Sequence, residues 1–168
     1  MSAEAQAAST AAAGGGVLPA LRLKRGEDRR LRAGHLWVFS NEIDNEATPL
    51  TALPVGSIVR LLSDRDQFLG FAYVNPHALI CARILSRSPG PPPDHSLLVH
   101  RLRVALALRE RLYSAPYYRW VFGESDALPG LVLDRYGETV VGQIATAGME
   151  GLRAQIEAAV VEVLEPRA

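Results

Sequence analysis

The 168-residue sequence predicts an α+β fold, a small N-terminal β-barrel followed by a small α+β unit. Three observations carry this. Residues 57–85 hold three short segments rich in β-branched, aromatic and aliphatic residues, joined by tight turns. Ser86-Arg87-Ser88-Pro89-Gly90-Pro91-Pro92-Pro93-Asp94 follows, and its consecutive prolines supply neither ladder nor helix donors. Beyond it the apolar period changes to 3.6 residues.

Each element has its own reason. Residues 1–17 are mostly Ala, Gly, Ser and Thr and predict a disordered tail. That stretch has no basic or strongly apolar region, and Gly14-Gly15-Gly16 and Pro19 interrupt it, so neither a leader peptide nor a membrane span is predicted. The first unit, residues 18–86, opens with the alternation Leu21-Arg22-Leu23-Lys24. A helix of one or two turns is expected over residues 26–34, then the apolar His35-Leu36-Trp37-Val38-Phe39. Strands follow at residues 57–62, 68–74 and 79–85, with Gly70 marking a bend or bulge inside the second. Short strands at this spacing suit a small curled sheet or barrel.

Residues 87–95 form the predicted linker and residues 96–168 the second unit. Its first helix covers residues 96–112, with Asp94 or Ser96 as N-cap. Leu98, Leu102, Ala105 and Leu112 make one stripe, which Arg109 interrupts. Strands are expected at residues 119–122, 131–133 and 139–145. A last helix runs over residues 149–164, with Met149, Leu152, Ile156, Ala159, Val160 and Val163 on one face and Pro166 stopping it.

Lys+Arg and Asp+Glu both number 18, which excludes a uniformly basic nucleic-acid binder and an acidic tail protein but not a local basic face. The single cysteine, Cys81, makes no internal disulfide, and four His without ligand spacing give no zinc site. No metal is predicted, and a cytoplasmic location is. Cys81 lies in the apolar Leu79-Ile80-Cys81-Ala82, the setting of a small buried hydrophobe rather than an activated thiol.

Two constellations carry chemistry. In the first, Arg22, Lys24, Arg25, Arg29, Arg30 and Arg32 face only Glu27 and Asp28, while residues 40–70 carry Arg60 and Arg65 against five acids. Clustered cations beside His35, Trp37 and Phe39 have what RNA needs: phosphate neutralisation and ring surfaces for stacking. The same residues would also make a solvated helix face with Trp37 and Phe39 in the core. In the second, Gly123-Glu124-Ser125-Asp126-Ala127-Leu128-Pro129-Gly130 leads into Leu131-Val132-Leu133-Asp134-Arg135-Tyr136-Gly137. Glu124 and Asp126 have the spacing for acid–base work or metal binding. Against that, no His lies nearby, no G-x-S-x-G elbow is present, and Gly and Pro favour turns that Ser125 and Asp126 would cap. No G-x-G-x-x-G or G-x-x-x-x-G-K-[ST] occurs, so no nucleotide cradle is predicted.

The run from Leu23 to Ser40 (LKRGEDRRLRAGHLWVFS) resembles the opening of bacterial ribosomal-RNA large-subunit cytosine-5 methyltransferases, and Gly123–Gly137 (GESDALPGLVLDRYG) resembles their central α+β domain. The resemblance covers residue 21 onward. It implies a PUA-like RNA-binding barrel; on the charge segregation, Lys24, Arg25, Arg29, Arg30 and Arg32 are expected to contact phosphates, with His35 and Trp37 close by and Trp37 bracing the site from the core. It implies large-subunit ribosomal RNA as partner and S-adenosylmethionine as the family's cofactor. Family members continue into a Rossmann-type domain that binds the cofactor and carries a catalytic cysteine, to which Cys81 does not correspond. The expectation is therefore an RNA-binding portion that lacks this Rossmann-type domain, holds no cofactor or catalytic residue, and is inactive alone. A stand-alone RNA-binding adapter is the alternative.

Overall fold

The computed structural model describes residues 18–164; the predicted tail and Pro166 lie outside them. The first sheet is built from β1 (Ala20–Arg22), β2 (Trp37–Phe39), β3 (Ile58–Leu62), β4 (Phe68–Val74) and β5 (Ile80–Ser86), in the order β1-β3-β4-β5-β2. Only β1 and β3 run parallel; the other pairs are antiparallel. The sheet curls until its two edges meet. Leu23 bridges Ile43, the Lys24 amide donates to the Glu42 carbonyl at 2.8 Å, and the Asp44 amide donates to the Arg22 carbonyl at 2.9 Å. Leu21, Leu23, Leu31, Val38, Ile43, Leu61, Val74 and Ile84 fill the interior. Leu31 comes from α1 (Arg29–Arg32), a single turn of helix where one or two were expected.

Gly70 bends β4 as the sequence predicts. The β3–β4 and β4–β5 registers shift on either side of it, and a Cβ there would sit 2.6 Å from the Ser86 carbonyl oxygen.

The second sheet is the antiparallel β6 (Tyr117–Phe122), β7 (Leu131–Tyr136) and β8 (Thr139–Ile144), in that order. Helix α2 (His95–Leu112) covers one face, starting where Asp94 Oδ1 accepts from the Leu97 amide at 3.2 Å. The Ser96 hydroxyl and that amide hold the Asp94 carboxyl below its ordinary 3.8. Leu98, Leu102 and Ala105 are buried as the stripe requires, but Leu112, in the last turn of α2, is exposed.

The single C-terminal helix is a correction. The chain forms α3 (Ala147–Gly151) and α4 (Arg153–Leu164), broken at Leu152, whose amide turns back to Met149 at 3.0 Å. Gly151, a poor helix former, stands at the break. The apolar face survives it: Met149, Ile156 and Ala159 are buried and Leu152, Val160 and Val163 half-buried.

The two sheets share a core. Tyr73 and Leu85, on the outer faces of β4 and β5, pack with Leu98, Leu102, Trp120, Leu131 and Met149. This explains why β4 is buried on both faces and does not alternate cleanly. The Tyr73 hydroxyl donates to the Pro129 carbonyl at 2.9 Å and lies 3.0 Å from the Thr146 hydroxyl. Gly148 lets α3 rest on this ring, since a Cβ there would fall 2.1 Å from Tyr73. Arg101 of α2 donates to the Leu85 and Ala127 carbonyls, and burial lowers its guanidinium to about 10.

Candidate functional site

The basic stretch of the barrel divides in two. Arg22 pairs with Asp66, and Arg32 pairs with Asp28 at 2.6 Å while reaching Gln67. That bond, more than the nearby charges, lowers the Asp28 carboxyl from its ordinary value. Arg30 is the most constrained. It pairs with the buried Glu42 at 2.6 Å, donates to the Trp37 carbonyl and lies over the Phe39 ring. Glu42 also accepts from the Phe39 amide at 2.8 Å, so this pair fastens the chain after β2 against α1. Lys24, Arg25 and Arg29 are exposed and meet no carboxylate among the described residues; Lys24 donates only to the Asn41 carbonyl, at 2.9 Å. The expected six-cation face therefore reduces to three unpaired charges, because the other three, Arg22, Arg30 and Arg32, are held in ion pairs within the barrel. His35 is exposed nearby, with its carbonyl accepting from Arg87.

Trp37 does not brace from the core. It is 41% exposed, and its indole N–H donates to Glu124 Oε1 at 2.7 Å, joining the barrel to the second unit. A three-residue strand at a sheet edge leaves its outward side chain uncovered, and hydropathy alone does not distinguish that position from the buried Val38 beside it.

Glu124 and Asp126 do not act as twin carboxylates. Asp126 is saturated: Arg109 grips both oxygens at 2.7 Å and the Phe122 amide donates at 2.6 Å. Arg109 is 13% and Asp126 7% exposed. This accounts for the arginine in the apolar stripe of α2. Asp134 pairs across strands with Arg119. Glu124 remains available, with Arg83 Nε at 3.9 Å. Sequence reasoning missed Arg83; the only signal was an arginine inside an otherwise apolar strand, in register with Trp37. Cys81 is fully buried, and burial pushes its thiol up to about 12, the environment of an inert hydrophobe.

Among the described residues no group of His, Cys, Asp or Glu is arranged to hold a metal, and no helix is long and apolar enough to cross a membrane. Among the described residues β1–β3 is the only strand pair that runs parallel.

Comparison with known proteins places these features in context. Residues 21–87 match the PUA-like domain family. The chain is 32% identical over 145 residues to ribosomal RNA large subunit methyltransferase I of Alteromonas mediterranea, an alignment covering 84% of this chain and 36% of that protein. It is 35% identical over 138 residues to the protein of the same name from Vibrio cholerae, covering 80% and 34%. The chain thus spans about a third of the length of these relatives. Among solved structures, SMU.776, assigned as a methyltransferase and complexed with SAH, matches with a TM-score of 0.74 at 20% identity, covering 88% of this chain and 38% of that one. The solved structure shares the chain's fold, and the PUA-like family covers its curled first sheet.

Proposed function

We propose that this chain is the RNA-binding portion of an S-adenosylmethionine-dependent methyltransferase that modifies cytosine C5 in large-subunit ribosomal RNA in the cytoplasm. In this reading residues 18–86 grip RNA, residues 87–95 link, and residues 96–168 form a second domain. Cofactor binding and methyl transfer belong to the portion of the relatives outside the matched third. The observation that supports it is a coincidence of place. The PUA-like match ends with the barrel, and the barrel carries Lys24, Arg25 and Arg29 without carboxylate partners. These three contact phosphates. Arg30 and Arg32 add field while remaining tied to Glu42 and Asp28, and His35 and Trp37 flank the contact.

Fluorescence anisotropy with fragments of large-subunit ribosomal RNA tests this. Arg25→Glu/Arg29→Glu weakens binding to all fragments alike, since phosphate contacts position without specifying. Unchanged affinity rejects the barrel as the RNA-gripping face. Calorimetric titration of S-adenosylmethionine into this chain gives no saturable heat; stoichiometric heat at micromolar affinity rejects the division of labour.

A further inference from the structure

The helix-free face of the second sheet, on which Arg119 pairs with Asp134 and lies over one side of the Phe122 ring, ends in a groove that the barrel completes. Helices α2 and α4 cover one side of β6-β7-β8. On the other side Phe122, Val132 and Gln143 lie side by side across the three strands. With Arg83, Glu124, Ser125 and Thr146 they line a groove of about 360 Å³, within the range of small-ligand sites. Phe122 is 54% exposed at its rim.

The polar groups of the groove are incompletely paired. Arg83 Nε is buried and has no hydrogen-bond partner among the described residues; its distance to Glu124, 3.9 Å, is too long for one. Nε itself has no open surface, so an acceptor in the groove meets it only when the Arg83 side chain, 18% exposed, turns toward the groove; the pairing gained then offsets the cost of the unpaired donor. Glu124 spends one oxygen on the Trp37 indole, and its side chain is still 38% exposed. An acceptor for Arg83 beside a donor for Glu124, on a flat ring that stacks against Phe122, describes the edge and face of a nucleobase. The same sheet face continues along β7 from Val132 to the exposed Tyr136, which pairs with Tyr117. Val132 and Tyr136 are four strand steps apart, about 13 Å along the sheet.

We propose that this groove binds one unpaired base of single-stranded RNA, with the strand continuing over Tyr136. The proposal rests on the chain being an RNA binder but uses residues separate from the barrel cations, so the two fail separately. The probe is a fluorescein-labelled 12-nucleotide single-stranded RNA of mixed sequence, with a duplex of the same sequence as control. Phe122→Ala removes an exposed ring and leaves the core intact; Glu124→Gln keeps the acceptor for Trp37 and removes the charge. Each weakens single-strand binding, Phe122→Ala by roughly 5- to 100-fold, with the salt dependence and duplex binding unchanged. Arg25→Glu/Arg29→Glu instead flattens the salt dependence for both probes. Wild-type single-strand affinity in both groove variants, with unfolding midpoints unchanged, overturns the proposal and leaves the face to a protein partner.

Discussion

Asp126 illustrates how a carboxylate suited by type to catalysis is committed to the fold. Its oxygens are filled by Arg109 and by the Phe122 amide, and water has little access to either partner. Removing one member of such a pair strands the other, so Asp126→Ala lowers stability by about 3–5 kcal/mol in urea unfolding. Asp94 acts through its charge at the start of α2. Because its folded value lies below 3.8, its contribution is fully present above that pH and is lost as pH falls through the folded value. Asp94→Ala costs about 1 kcal/mol at neutral pH, and Asp94→Asn retains the cap while reducing the loss of stability below about pH 4. The two tryptophans separate equally well. Trp120 is fully buried and donates to the Leu102 carbonyl at 3.0 Å, so Trp120→Ala costs about 3–5 kcal/mol. Trp37→Ala loses one exposed hydrogen bond and costs about 1 kcal/mol. Denaturant titrations of the two variants, compared directly, check this.

At the scale of elements, Gly148 sets how closely α3 approaches the barrel. Gly148→Ala pushes a methyl into the Tyr73 ring and lowers stability by about 1–3 kcal/mol, visible as a lower midpoint in thermal unfolding. Local pattern made most elements legible beforehand. The strand at residues 68–74 matches β4 residue for residue, and the helix from residue 96 differs from α2 by one residue. Features set by distant partners were not legible. The Leu23–Ile43 bridge that brings the sheet edges together leaves no periodicity in either segment. The break at Leu152 depends on Gly151 in an otherwise helical pattern. The basic stretch was visible as charge, but its pairing with Asp66, Glu42 and Asp28 was not, because two of those acids lie far off in sequence. The groove was least legible, since Arg83 and Glu124 meet only once the second unit packs on the barrel.

The whole molecule is two sheets that share a core, tied by Tyr73, by Arg101 and by the Trp37–Glu124 bond. In the proposed function this union fixes the exposed cations of the barrel relative to the aromatic face of the second sheet. With a formal charge of zero the proposed binding rests on the local basic face, chiefly its unpaired cations, and on stacking. The most direct measurement is the salt dependence of binding to a single-stranded ribosomal RNA fragment. Three phosphate contacts, from Lys24, Arg25 and Arg29, predict a log–log slope of about −2, falling to about −0.7 or less in magnitude in Arg25→Glu/Arg29→Glu. A wild-type slope near zero, or a slope that the double reversal leaves unchanged, would contradict the account.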